Sequence, residues 1–180
     1  MAHREDDRRM PRNPDRWLAA LRIAVGMWFA KSALTKLSGF LALGFLPLPR
    51  ASERWVSIMP TLLTRYAETV RVDWYADFLM GTVVPNAPLF AHLTAFGETF
   101  VGLGLTLGFA TPVASAIGLV VMGNYLLATF GVGYCQQGFH LLLIACMVAF
   151  LGARAGRSWG LDGWLSRRFP RSLPARRGLI

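Results

Sequence analysis

Eight side chains with charge, acid–base or amide chemistry stand in stretches that are otherwise apolar: Arg22, Lys31, Lys36, His92, Glu98, Asn124, Tyr125 and His140. Glu98 is the most informative of them. It lies about ten residues into its apolar run, which at helical rise is roughly 15 Å, near the centre of a bilayer. A charged group there costs about 2.5–3.5 kcal/mol on insertion scales, and a glutamate is too short to reach the interface. It must therefore pair, face a polar cavity or carry a proton. A buried ion pair would fix helix register; a carboxylate facing a cavity would handle protons or orient a ligand. Arg22, long enough to reach inward, is the expected partner, and pairing would keep Glu98 ionised.

Helical geometry sorts the other cations. Positions 22 and 36 fall within about 40° of each other on a helix, while 31 points nearly opposite 22. Lys36 is close enough to the outer surface to snorkel, whereas Lys31 is deeper and would need an inward role or a partner. His92, Asn124, Tyr125 and His140 gather with Cys135, Gln136 and Gln137 toward the outer side. Two histidines on separate helices are the minimum for b-type haem ligation. A pocket for a quinone head group or a thiol, lined by His140, Tyr125 and Trp28, is the alternative, and each histidine alone could also be an ordinary interfacial one. The expected catalytic set is Glu98, Arg22 and His140; the expected substrate-binding set is Lys31, Lys36, His92, Asn124 and Tyr125. No metal cluster is expected, because the apolar spans contain one acidic residue, and no phosphate loop or nucleophile triad is present.

The elements that must position these groups are membrane helices. The 180 residues suffice for one domain, and they are 54% hydrophobic and only 16% charged, with a mean hydropathy of +0.41. Soluble domains carry about a quarter charged residues, so lipid is the implied solvent. Four spans are expected, at about residues 17–39, 88–110, 112–130 and 137–153. The fold class is all-α, a polytopic membrane four-helix bundle. Between the first two spans, Trp55, Ile58, Met59, Leu62, Tyr66 and Val70 recur at helical spacing. They predict an amphipathic helix that lies on the outer surface or covers the bundle mouth. Pro47 and Pro49 forbid continuation of the first helix.

Five arginines lie in residues 1–16 and seven in 154–177, against four in the long 40–88 connection. The positive-inside rule then puts both basic tails, 1–16 and 154–180, in the cytoplasm, which requires an even number of spans. The net charge of +9 reads as topology signal and anionic-lipid contact, not as a nucleic-acid surface, because no basic stripe is interleaved with aromatics. Cys135 and Cys146 do not make a disulfide framework: eleven residues along a helix separate them by roughly 16 Å. The first apolar run, which holds Arg22, Lys31 and Lys36, is not a convincing signal peptide. The glycines of the second and third spans, including Gly102, Gly104 and Gly108, predict close helix packing.

Four stretches carry a family resemblance: LRIAVGMWFAKSALTK (21–36), FAHLTAFGETFVGLGLTLGFATPVAS (90–115), MGNYLLA (122–128) and GRSWGLDGWL (156–165). In their order and spacing over residues 17–163, the chain resembles the DoxX superfamily. Within it, the chain resembles the DoxD-like small subunit of thiosulfate:quinone oxidoreductase. The last stretch is similar to the family's closing Gly-Arg-x-x-x-Leu-Asp signature, with Arg157 and Asp162. The resemblance implies a four-helix membrane protein of a prokaryotic plasma membrane. It implies a link to thiosulfate, thiol or quinone redox chemistry or to oxidative-stress assemblies, with quinone as the one cofactor suggested. A second oxidoreductase subunit would be a separate chain. Fold alone does not decide the activity. Three readings follow: a subunit of a quinone-linked oxidoreductase, a scaffold that tethers soluble redox enzymes through its basic tails, and, ranked last for want of an internal repeat, a small-solute carrier. Membrane lipid is the expected partner in all three, and oligomerisation is compatible with each.

Overall fold

The computed structural model describes residues 14–42 and 46–169, with the side chains of residues 40–48 left out. The tail expectations for residues 1–13 and 170–180 lie outside the described residues. The chain forms α1 (Pro14–Lys36), a hairpin of β1 (Leu37–Ala42) and β2 (Leu46–Ala51), then α2 (Glu53–Thr69) and α3 (Asp73–Phe78). A π-helical turn (Leu79–Val83) leads to α4 (Ala87–Leu107), α5 (Thr111–Ala128) and α6 (Tyr134–Gly152). A 3-10 turn (Ala155–Arg157) and α7 (Leu161–Arg168) follow.

Helices α1, α5 and α6 are long and apolar enough to cross a membrane. Their outward faces are lipid-like: Leu34 is 86%, Val120 73% and Leu142 62% exposed. In water such faces would seek a partner; in a bilayer hydrocarbon covers them. Helix α4 has 21 residues and is comparably long, but it carries Glu98 and His92.

The long helices run antiparallel to their neighbours. Gly26 of α1 lies against Thr106 and Leu105 of α4, Gly102 of α4 against Phe29 and Ala30 of α1, and Lys36 meets Glu98. A Cβ on Gly26 would stand 2.5 Å from the Thr106 nitrogen, and one on Gly102 would stand 2.7 Å from the Ala30 Cα. Only bare backbone fits there, so these two positions allow the tightest approach between the long helices. Gly104 meets Ala114 across the α4–α5 seam, and Gly118 accepts Met147 across α5–α6. The sequence suggested Gly104 and Gly108 as a packing pair. Gly108 instead ends α4 in the left-handed region, at φ 63°, where glycine is unstrained.

Two apolar cores result. One joins α1, α4, α5 and α6 through Val25, Phe29, Val101, Leu105, Met122, Met147 and Phe150. The other, made by Met59, Leu63, Tyr75, Leu79, Val83, Ala87 and Ala91, packs α2, α3 and the π turn on the first half of α4.

The helical class holds, with one addition: β1 and β2 pair antiparallel, with Leu37 opposite Ala51 and Gly39 opposite Pro49. Proline argued only against more helix. In a two-stranded sheet both strands are edges, where a missing N–H is tolerated. The excursion closes on itself, since the Ser52 amide donates to the Lys36 carbonyl at 2.8 Å. Ser52 then caps α2 by accepting from the Trp55 amide. The chain leaves and returns at the end of α1, and α2 therefore starts directly over Lys36.

At the opposite end a remote clamp holds the α4–α5 turn. The residue before α5 is Ala110, which has no side chain to cap the helix. Asp162 supplies the acceptor: the Ala110 and Thr111 amides donate to its Oδ1 and Oδ2 at 2.7 and 2.8 Å, and its own amide donates to the Gly108 carbonyl. Arg22, completely buried, donates to the Leu105 carbonyl at the end of α4 and to the Trp159 and Ser158 carbonyls. The carboxylate thus sits at a positive helix end and the guanidinium at a negative one.

Loss of this clamp has a measurable cost. Asp162→Ala strands the buried Thr111 amide and the partly buried Ala110 amide and removes the cap, so unfolding in detergent should show a loss of about 2–4 kcal/mol. Asp162→Asn, which still accepts one bond, should lose less. Thermal melts equal to wild type for both would show that the clamp carries no stability.

Candidate functional site

The π turn widens the helix just before α4 and brings Leu79 and Val83 into a wall shared with α2. Between that wall and the long helices lies a cavity of about 660 Å³. This is within the roughly 300–1,000 Å³ typical of ligand pockets. Its surface is mostly apolar, with Phe29, Met59, Leu63, Met122 and Leu143 among its walls. Besides Ser32, Tyr66, Thr94, Thr129 and Gln136, five polar residues of the lining come from four helices: Lys36 of α1, Glu98 of α4, Asn124 and Tyr125 of α5, and His140 of α6.

Lys36 and Glu98 form the centre. Lys36 Nζ donates to Glu98 Oε2 at 2.6 Å, and Tyr125 donates its hydroxyl to Glu98 Oε1. Lys36 also reaches the Tyr125 oxygen at 3.4 Å. The indole of Trp55 covers the ammonium, with Nζ 4.3 Å from the ring centroid. That face of an aromatic ring attracts a cation and excludes water from it. Trp55 is itself fixed by donating Nε1–H to the Ala91 carbonyl at 3.1 Å. Both carboxylate oxygens of Glu98 are thereby satisfied, and 4% of the residue is exposed. This ion pair replaces the expected one: Arg22 does not meet Glu98. The antiparallel register sets Arg22 opposite Leu105, seven residues or about 10 Å along α4 from Glu98.

The depth of the cluster differs from the sequence estimate for the same reason. Glu98 is central in α4, but it is level with the last residue of α1, with Tyr125 near the end of α5 and with His140 near the start of α6. The polar groups meet where three long helices end and α2 forms a roof. The amphipathic helix is therefore a cover over the cavity, with Trp55, Met59, Leu62 and Tyr66 facing it.

His140 is 5% exposed, and its Nδ1 lies 3.1 Å from the Thr129 hydroxyl oxygen. Thr129 spends its one O–H on the Tyr125 carbonyl at 2.7 Å. Its oxygen can then only accept, so Nδ1 of His140 carries the proton and Nε2 keeps a lone pair. Asn124 accepts at Oδ1 from the Tyr75 hydroxyl at 2.7 Å, which leaves its amide hydrogens as donors. Burial pushes the Tyr75 phenol up to about 12, so it stays a donor.

The other expected residues lie elsewhere. Lys31 is exposed, with Nζ 5.3 Å from the centroid of the Trp28 ring. His92 lies beside a separate surface depression near Arg50 and Glu53, with Nδ1 2.7 Å from the Pro88 carbonyl. The two histidines do not line a common pocket, so the haem geometry is not offered. Arg22 lies in the clamp and outside the cavity lining. Trp55 and Thr129 were not singled out beforehand. The apolar stripe of α2 could have pointed to Trp55; nothing local marks Thr129. Among the described residues no group of three or more His, Cys, Asp or Glu could hold a metal.

The family profile described as DoxX matches residues 17–134, well over half of the chain, and stops at the start of α6. No curated protein and no solved structure matches the chain.

The pairing of Lys36 with Glu98 can be measured as a coupling. Lys36→Met leaves a buried carboxylate without its cation, and the loss of stability should be about 3–5 kcal/mol. Glu98→Gln in the same background should restore part of it, because no charge then remains unmatched. A double-mutant cycle by chemical unfolding checks this, and additive losses would show that the two side chains act independently.

Proposed function

The chain belongs to the DoxX family, and from that premise we propose that it is the integral membrane subunit of a quinone-linked oxidoreductase whose electrons come from thiosulfate or a thiol. The DoxD-like, thiosulfate:quinone oxidoreductase type is the form of the family meant. In this reading α4 is the fourth span beside α1, α5 and α6, both ends of the chain lie in the cytoplasm of a prokaryote, and α2 lies on the outer side. The supporting observation is one-sided polarity: an apolar cavity of about 660 Å³ with Lys36, Glu98, Tyr125 and His140 gathered at one part of its wall. That arrangement fits a head group that is flat, mostly apolar and polar only at its carbonyl oxygens.

A quinone takes up two electrons and two protons to become a quinol. Two donor sulfurs that join in an S–S bond release those two electrons. This chain supplies the protons and the orientation. Lys36 and Tyr125 are the donors for one carbonyl oxygen, and Glu98, bonded to both, relays to them the replacement proton taken up from water. Nε2 of His140, once it has taken up a proton from water, is the donor for the other carbonyl oxygen, and when neutral again it accepts from the quinol hydroxyl. Asn124 adds amide donors. The sulfur donor is bound at the outer side or by a second subunit, toward which the exposed Lys31 contributes positive charge.

The test is quinone reduction by the purified chain with its co-purifying partners, with thiosulfate or a thiol as donor. Glu98→Gln should remain inserted and folded while turnover falls about 100-fold or more, the scale of a general acid–base contribution. Glu98→Ala should lose stability as well. Full activity in both variants, or no quinone reduction above background in the wild-type assembly, rules the reading out. Capture of soluble redox enzymes without any intrinsic chemistry would favour the scaffold instead.

A further inference from the structure

Resting on the quinone reading above, we propose that a quinone with a long isoprenoid tail enters and leaves the cavity sideways, through a gate between α1 and α6 formed by Trp28 and Phe139. Both residues line the cavity, yet Trp28 is 54% and Phe139 39% exposed. The same side chains therefore face the cavity and the outside. Their rings meet edge to face with centroids 5.4 Å apart and an interplanar angle of 63°.

The four seams of the helix set are closed by different means. The α1–α4 seam is closed by backbone at Gly26 and Gly102. A turn of only three residues and the Tyr125–Glu98 bond tie α4 to α5. Met147 seated against Gly118 and the Thr129–His140 contact tie α5 to α6. Helices α1 and α6 approach each other sparsely, and large side chains bridge the gap. Opening that seam needs rotamer changes in two rings, whereas opening the others needs a helix to move.

The chemistry behind the gate suits a head group arriving from the bilayer. Ser32 and Lys36 lie one and two turns beyond Trp28 on α1, and His140 adjoins Phe139 on α6; all three line the cavity. A long isoprenoid chain exceeds a cavity of about 660 Å³ and has to project from it. The outer surface next to the gate is mixed: Leu142, 62% exposed one turn from Phe139, gives it apolar area, and the exposed Lys31 and Gln136 border it. Lys31 Nζ lies 5.3 Å from the centroid of the Trp28 ring, a contact that in this proposal favours the closed rotamer. Lys31 is thus a positioning residue for the gate.

The experiment locks the seam. In a background with Cys135→Ser and Cys146→Ser, Trp28→Cys and Phe139→Cys are joined in proteoliposomes by a reducible bifunctional thiosulfonate. A second protein carries Leu93→Cys and Val120→Cys across the α4–α5 seam, whose residues are also exposed and line the cavity. Three probes with a diazirine at the head end are compared: a long-tailed quinone, its tail-less ring, and a polyprenol without the ring. The rate of photolabelling is read on peptides containing Tyr125 and His140.

The α1–α6 link should slow both tailed probes about tenfold or more, leave the tail-less ring unchanged, and be reversed by reductant. Tailed probes slowed only by the α4–α5 link, or by neither link, overturn the gate; competition by unlabelled quinone would then still support the quinone site. If the α1–α6 link slows both tailed probes but the polyprenol labels as well as the quinone and free quinone does not compete, the gate stands and the quinone reading falls. Absence of labelling by either tailed probe overturns both.

Discussion

Gly26 and Gly102 take two side chains out of the seam between α1 and α4, and the backbones close until nothing larger would fit. That contact sets the register of the two helices, and the register sets the level of every cation on α1. With Ala30 against Gly102, Lys36 arrives beside Glu98 and Arg22 arrives beside the last carbonyls of α4. A slip of one helical turn, about 5.4 Å, would leave both charges unmatched in apolar surroundings. The glycine contact and the two polar contacts therefore select the same alignment. Such agreement between packing and polar satisfaction is what gives a fold one clear minimum.

The two ends of this helix pair use charge differently. Arg22 and Asp162 spend their hydrogen bonds on backbone: one on carbonyls at the end of α4 and in the closing segment, the other on amides at the start of α5. These groups would otherwise be orphaned at helix termini. The clamp also joins the segment beyond residue 134, where the family match ends, to Arg22, Gly108, Ala110 and Thr111 inside the matched region. Lys36 and Glu98, in contrast, bond to side chains and face a cavity. One end is built to stay fixed, and the other keeps groups that can exchange partners.

Much of this was legible before any coordinates. The 3.6-residue period put Arg22 and Lys36 on one face of α1 and Lys31 on the other, and that is where they are. It also marked the inward stripe of α2. Register was not legible, because it depends on which glycines meet, and six positions in the two central helices offered the same small residue. The wrong partner for Glu98 followed directly from that. Depth does not follow from each helix's own ends, because α4 starts about 16 Å beyond the level of Lys36 and comes down to that level only at Glu98. The hairpin was hidden because Pro47 and Pro49 signal only where a helix cannot continue.

The Lys36–Glu98 pair also explains why an apolar cavity can hold proton chemistry at all. A single buried carboxylate changes the net charge of its surroundings each time a proton comes or goes, and burial makes the charged state costly. A paired ammonium and carboxylate have zero net charge, and they still have zero net charge if the proton moves from Nζ to the carboxyl group. Tyr125, bonded to the same carboxylate, extends that exchange by one more hydroxyl. Protons can thus be redistributed among three side chains without building up charge in a low-dielectric space. Only a proton that leaves the network changes its charge, and it would leave toward a group in the cavity that needs one. Trp55 makes this arrangement stricter: lying 4.3 Å over Nζ, it compensates the ammonium on the side where water would otherwise reach it. Polarity confined to one part of the wall, with aromatic surface over the cation, leaves the cavity itself as the direction in which the network can act.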